Sequence, residues 1–541
     1  MPTTTQTSMP TPMPRLATSR TGMVTSPHVL ASEAGLEILR AGGNAIEAAI
    51  AMGATLAVTY PHFTGLGGDA FWILSDQHGS VRTLSGIGQA AATLPDYGNA
   101  IPTRGAASAL TTAATVDTWD RAFAISRAQW GGQQRWADLF QCAITLAHDG
   151  FDVTPSQQFW QAFRQEELAQ WPGFAATFIP DGRLPQAGDR LRQPALAHSL
   201  ERIAAHGARE FYEGELAERI IAGLREAGSP LTMQDLSRTA ARDEAPLRVP
   251  YRGGELLSLA PPTQGVTTLQ IMGILDRFDM AGIAEGSADY YHVLVEAIKQ
   301  AFIERNRHVA DPEFVPVPTD DMLSPARLSA LAANIDPAHA LPWPHVYQHG
   351  DTVYLAAVDT EGRCASVLQT VYFDWGSGVV AGDTGILWHN RGAAFSADTT
   401  HHNAIQPGKR PFHTLNPGMY LREGKPRLLY GTQGADGQPQ TLATVLTRMI
   451  DHGMDPLAAL RQPRFLLGRT FSDTRDSLKI EADAGDDVIA ALSTRGHEIS
   501  VIAAQSPLAG HPGAIALYDD GSYAGAHDPR SDGIAMGLQG T

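Results

Sequence analysis

The sequence predicts a soluble α/β protein, built as two domains or as one large intertwined unit, and three observations lead there. At 541 residues the chain exceeds the usual size of one domain. A hydrophobic content of 43% with 18% charged residues suits a globular protein able to bury a large core. The texture also changes near residue 350, from helical periodicity before it to strand alternation after it.

The elements follow in order. Residues 1–21, rich in Thr and Pro with no apolar core or cleavage-site pattern, read as a disordered arm rather than a secretory signal. Met23 to Ser26 is a short strand stopped by Pro27. His28 to Ala41 has helical spacing through Leu30, Ala34, Ile38 and Leu39, closed by Gly42-Gly43. Asn44 is a good N-cap for an alanine-rich helix over 45–58, whose small residues imply close packing. Gly65-Leu66-Gly67-Gly68-Asp69 leads into a strand over 70–75. Residues 112–305 are mainly helical apart from a loop-rich stretch at 171–192, a strand over 251–259 and the sharp loop Pro261-Pro262-Thr263-Gln264-Gly265. Helices are expected at 267–277 and 289–307. The proline-rich segment 312–350 reads as an exposed connector. Strands then recur at 353–358, 364–372, 378–380, 427–430, 514–518 and 523–526, with helices at 440–452 and 486–494.

Net charge is -17, which argues against nucleic acid, because phosphate binding needs clustered Lys and Arg. A local pocket can still oppose the global field and accept a small anion. The two cysteines, Cys142 and Cys364, lie in apolar contexts and read as buried thiols or a single disulfide. No Cys-x-x-Cys spacing supports a zinc site. No segment reaches the roughly 18 apolar residues of a membrane span, so the expected location is the cytoplasm.

Thr352 stands at the junction of the two textures, after Gly350-Asp351 and at the head of a strand. Taken locally it reads as a strand start, as β-branched residues often do. A threonine hydroxyl is a weak nucleophile without a base. A free α-amine on the same residue, with a pKa of about 7.7–8.0, would supply one.

The wider sequence changes that reading. Gly22-Met23-Val24, Ala31-Ser32-Glu33-Ala34-Gly35, Ala41-Gly42-Gly43-Asn44-Ala45, Gly65-Leu66-Gly67-Gly68, Ala147-His148-Asp149-Gly150-Phe151 and Phe211-Tyr212-Glu213-Gly214 occur in order. Tyr251-Arg252-Gly253, Ala260-Pro261-Pro262-Thr263-Gln264-Gly265, Asp311-Pro312-Glu313-Phe314, Gly376-Ser377-Gly378-Val379-Val380, Asn416-Pro417 and Asp528-Pro529-Arg530-Ser531-Asp532-Gly533 follow them. Over residues 22–535 the chain resembles the γ-glutamyltranspeptidase family of N-terminal-nucleophile hydrolases. The resemblance implies a four-layer αββα sandwich of the α/β (α+β) class. It also implies self-cleavage between Asp351 and Thr352, giving a large chain 22–351 and a small chain 352–541 that pair as one unit. A dimer of such pairs is compatible with it. Thr352 would be the nucleophile, Thr370 the second threonine that contacts it, and Gly434 a backbone N–H donor to the oxyanion, or else only a turn glycine. Neither metal nor organic cofactor is implied.

The family's grip on a γ-glutamyl group is largely missing. The strand at 83–89 has no arginine where the family places one, a Ser-Ser pair is replaced by His413-Thr414, and Tyr372 stands for an asparagine. Arg391 and Ala394 occupy the positions of the acidic and amide residues that hold the α-amine. A guanidinium there repels an ammonium and welcomes a carboxylate. The pattern, with Gly434-Ala435-Asp436-Gly437-Gln438-Pro439-Gln440, resembles the oxamate amidohydrolase branch. It implies a small anionic amide held by Tyr372, Arg391, His413, Thr414 and Ala435. A γ-glutamyl compound or a glutaryl-type amide is the alternative. Arg391 as a plain salt bridge and His413 as a satisfied core histidine stay open. The pair His401-His402 is set aside as a metal site, because adjacent residues rarely point at one ion. Gly376-Ser377-Gly378 lacks the spacing of a nucleophile elbow.

Overall fold

A computed structural model describes residues 15–343, 351–469 and 475–539. Two seven-stranded antiparallel sheets face each other. One runs Ala17–Ser19, Tyr523–His527, Pro512–Leu517, Lys425–Thr432, Gly418–Arg422, Gly254–Ser258, Leu247–Tyr251 from edge to edge. The other runs Ile534–Gly537, Met23–Ser26, Asp351–Val358, Cys364–Tyr372, Asp69–Ser75, Val81–Gly86, Arg242–Glu244. Helices Val29–Arg40, Ala45–Thr59 and Thr115–Gln129 cover the outer face of the second sheet. Helices Gly265–Leu275 and Gln438–Leu446 cover the outer face of the first, and Ala288–His308 packs against those two helices. This is the expected αββα sandwich, and both sheets draw strands from before and after residue 352.

Strand periodicity sorts the core into layers. Tyr354, Ala356 and Val358 point between the sheets with Phe71, Ile73, Leu257, Met419, Leu429 and Ile515. Their neighbours Val353, Leu355 and Ala357 point outward to Trp72, Leu74 and the alanine-rich helix. That helix is buried along all of Ala45–Thr59 and carries a capping box between Asn44 and Glu47. Asp359, in the turn after the central strand, accepts from Ala45 N at 3.1 Å and pairs with Arg363 Nε at 2.7 Å. The turn between two strands thereby anchors the start of the helix. The Asp528–Ser531 motif is held the same way: Arg464 pairs with Asp528 at 2.6 Å, and Arg530 reaches Glu481 at 2.5 Å.

Several expectations are corrected. The strand expected over 251–259 is a hairpin, because Arg252 (φ +45°) and Gly253 (φ +76°) both take left-handed backbone, the signature of a tight two-residue turn. The strand expected at 378–380 reduces to one bridge between Val380 and Leu387, with Gly376 and Gly378 at positive φ turning the chain. The connector carries the helix Pro325–Ala333, with Pro325 in its first turn and Leu328 and Leu331 buried. The loop-rich stretch at 171–192 contains the short helix Pro172–Phe178, whose Phe174 and Phe178 pack on Trp375. Ala17–Ser19, within the expected arm, is an edge strand. Cys142 is half-buried, Cys364 is buried, and both are free thiols. Gly350 and Pro344 lie outside the described residues. Among the described residues no helix is long and apolar enough to cross a membrane.

Candidate active site

Thr352 enters the inner face of the second sheet at its centre. Register along its strand shifts between Asp351, opposite Tyr372, and Val353, opposite Gln369. Two residues of the neighbouring strand, Thr370 and Val371, therefore face Thr352 alone, the arrangement of a β-bulge. Thr370 helps to form it: its Oγ1 accepts from Tyr372 N at 2.7 Å, and Tyr372 adopts φ +80°. A non-glycine residue in that region is strained and needs support from its surroundings. The bulge redirects Tyr372, which is buried. Thr352 is also buried, and Gln438 Nε2 donates to its Oγ1 at 3.5 Å.

Two glycines set how closely the elements approach. A Cβ on Gly68 would sit 2.0 Å from Thr370 O, and one on Gly431 would sit 2.1 Å from the Tyr354 ring. The Gly65–Gly68 loop thus presses its backbone against the strand that carries Thr370. The segment after Trp388 is stitched to the same place: His389 N donates to Gly67 O at 2.8 Å, and Asn390 Oδ1 accepts from Phe373 N at 3.0 Å. Arg391 follows directly.

Arg391 is fully buried, and none of its three guanidinium nitrogens has a hydrogen-bond partner. Its guanidinium carbon stands 3.6 Å from the centre of the Tyr372 ring. Burial pulls its pKa down to about 10, so it remains a cation at neutral pH. A desolvated cation–π contact returns about 2 kcal/mol, less than the several kcal/mol that burying an ion without a partner costs. The alternative of a plain salt bridge is not what the geometry shows.

His413 takes a different place from the anion grip expected of it. Its Nε2 lies 3.2 Å from Asp69 Oδ2, and Leu415 N donates to its Nδ1 at 3.4 Å. Nδ1 is therefore the acceptor and Nε2 the protonated nitrogen, so both ring nitrogens are engaged. Burial pushes its pKa down to about 3, with the Arg391 charge adding to the effect. Asp69 also accepts from Gly88 N at 3.0 Å and Ala114 N at 3.3 Å, and His389 Nδ1 is 3.6 Å away. Burial alone would raise the Asp69 carboxyl; His389, His413 and Arg391 hold it below its usual range. Asp69 is thus an anion serving a neutral imidazole near Arg391, a feature the motif string contained without revealing.

The remaining expected residues meet through Gln264. Its Nε2 donates to Thr414 O and Ala435 O, both at 2.7 Å, and its Oε1 accepts from Arg305 Nη1 at 2.9 Å. Arg305 pairs with Asp436 at 3.1 Å. One buried carboxamide therefore ties together the loop of His413-Thr414 and the loop of Gly434-Ala435, where Gly434 has φ +128° and Ala435 φ +46°. Thr414 Oγ1 is buried without a hydrogen-bond partner. Gln264, Arg305, Asp436, Gln438 and Asp69 are the site residues that sequence reasoning did not single out.

Among the described residues one group has converging metal-type ligand atoms, His292, Glu296 and His497. His292 Nδ1 is 2.8 Å from His497 Nε2, and Lys299 Nζ donates to Glu296 at 2.8 Å. The lysine already supplies the positive charge there. The rings of His401 and His402 have centres 4.1 Å apart and are tilted by 31° to each other.

A family model for gamma-glutamyltranspeptidase matches residues 31–538. The chain is 45% identical to the oxamate amidohydrolase proenzyme of Klebsiella pneumoniae over 521 residues, covering 95% of this chain and 98% of that protein. It is 31% identical to the glutathione hydrolase proenzyme of Escherichia coli, over 95% of this chain and 91% of that protein. The crystal structure of a cephalosporin acylase from Bacillus halodurans superposes with a TM-score of 0.90 at 32% identity, each chain covered to 100%. Both of these sequence relatives are named as proenzymes. The chain is an amide-bond hydrolase and belongs to the γ-glutamyltranspeptidase family.

Proposed function

We propose that this protein is a self-processing threonine amidohydrolase acting on a small anionic amide of the oxamate type. The observation that carries the substrate class is Arg391, a buried guanidinium with three unpaired nitrogens beside the nucleophile strand's neighbour Tyr372. Such a group favours a carboxylate, which would form charge-assisted hydrogen bonds with it. It disfavours the α-ammonium of a γ-glutamyl compound. The 45% identity to an oxamate amidohydrolase supports the same reading.

In processing, Thr352 Oγ1 would attack the carbonyl of Asp351, the C–N bond would break to leave an ester and a free Thr352 α-amine, and water would hydrolyse the ester to release the Asp351 carboxylate and the Thr352 hydroxyl. In turnover that amine would take the hydroxyl proton as Oγ1 attacks the substrate amide. The departing amine would take that proton, and water would then free the acyl group. Thr370 would hold the bulge that aims Thr352, and Gly434 N–H would face the developing oxyanion. Losing one such donor typically costs about 2.7–4 kcal/mol of transition-state stabilisation. His413 would act through Asp69 as a neutral support rather than as a cation. The test is steady-state turnover of oxamate, a glutaryl amide and a γ-glutamyl anilide by the purified protein. Turnover of oxamate above the other two is expected. γ-Glutamyl release without oxamate turnover would overturn the assignment, and a preference for the glutaryl amide would move it toward the acylases that share this fold.

A further inference from the structure

Gln438 is the first residue of the helix Gln438–Leu446 and has no exposed surface. One end of its carboxamide reaches the reacting atom, Nε2 donating to Thr352 Oγ1 at 3.5 Å. The other end, Oε1, is buried and has no hydrogen-bond partner. Buried acceptors are paired in most proteins, and an orphan beside a nucleophile asks for a donor from outside the chain. The three-residue turn Ala435–Gly437 joins Gln438 to Gly434, so the carboxamide and the oxyanion loop come from one continuous segment. Pro439 follows in the first turn of the helix, and Asp436 is pinned by Arg305.

We propose that Gln438 is the specificity residue for the leaving side of the substrate, its Oε1 accepting an N–H of the scissile amide nitrogen. This inference rests on the reading of Thr352 as nucleophile. With the substrate carbonyl carbon about 3 Å from Thr352 Oγ1, the amide nitrogen lies one bond further, within reach of a carboxamide that already contacts that oxygen. The Oγ1–carbon bond forms and the carbon–nitrogen bond breaks. The nitrogen takes the proton relayed from the hydroxyl and leaves, as ammonia from a primary amide, while Gln438 forms no covalent bond. Primary amides, which keep an N–H whichever way the group is turned, are the favoured class. Esters of the same acid offer Gln438 nothing.

The test compares oxamate with the monoethyl ester of oxalic acid on wild-type protein, Gln438→Leu and Gln438→Glu. In Gln438→Leu the kcat/KM for the amide is expected to fall about tenfold more than that for the ester. In Gln438→Glu, which keeps an acceptor oxygen, the amide-to-ester ratio is expected to stay at the wild-type value. Parallel losses on amide and ester in the leucine variant, or no loss on either, would overturn the proposal. If the leucine variant does not fold, a collapsed ratio in the glutamate variant would overturn it and a preserved ratio would support it. Thr352→Ala separates the two layers: hydrolysis that survives it would refute the nucleophile, whereas a parallel loss in Gln438→Leu with a dead Thr352→Ala refutes Gln438 alone.

Discussion

Replacing Arg391 by methionine removes the charge and keeps most of the volume. Two opposite effects follow from the same geometry. The free protein carries a fully buried guanidinium whose nitrogens have no hydrogen-bond partner, offset by the Tyr372 ring at 3.6 Å and, at longer range, by the Asp69 and Asp436 carboxylates. A guanidinium buried without a hydrogen-bond partner costs several kcal/mol, more than the roughly 2 kcal/mol that a desolvated cation–π contact returns. The free Arg391→Met protein is therefore expected to unfold at a higher midpoint than wild type. Removing one partner of a buried charge pair with substrate costs about 2–5 kcal/mol, roughly a 30- to 5000-fold fall in kcat/KM. That loss is specific to an anionic substrate. The assay measures kcat/KM for oxamate and for the neutral diamide oxamide, beside thermal unfolding of the unliganded protein at one scan rate. A large loss on oxamate, a small one on oxamide and a raised midpoint are expected. Equal losses on both substrates, or a lowered midpoint, would refute the charge argument.

Gln264→Glu replaces the donor that holds Thr414 O and Ala435 O with a carboxylate facing two carbonyls. It is expected to lower kcat at least tenfold with KM little changed, and a KM rise at constant kcat in steady-state assays would contradict the clamp. Stability is expected to fall as pH drops below about 6.5, because burial lowers the pKa of His28 and His511 to about 4 and of His413 and His527 to about 3. The unfolded chain takes up those protons near pH 6.5 and the folded chain does not. Stability present above that pH is therefore lost at about 1.4 kcal/mol per pH unit for each such histidine. Urea midpoints measured from pH 7 to pH 5 check this, and a flat profile would contradict it.

Much of the fold was legible because local signals agreed with the tertiary outcome. The Asn44 cap, the alanine-rich run after it and the apolar strand Cys364–Tyr372 lie where periodicity puts them. The strand Gly418–Arg422 was missed because a glycine opens it and an arginine closes it, leaving three residues of pattern. The site was legible only in part, and chain separation explains the gap. His413 meets its carboxylate across 344 residues, and Gln264 meets Thr414 and Ala435 across 150 and 171. No local spacing encodes those contacts. Sequence pattern marked the position of Arg391, whereas its lack of a partner is a property of the packed interior alone.

The central claim is that Thr352 becomes a chain terminus and the nucleophile. Intact-mass measurement of the purified wild-type protein and of Thr352→Ala, with terminal sequencing of the smaller species, tests it most directly. Two chains are predicted for wild type, the smaller beginning at Thr352, and a single uncleaved, inactive chain for the variant. A wild-type protein that remains one species of 57.9 kDa while hydrolysing its substrate, or a Thr352→Ala variant that is still cleaved, would contradict the account.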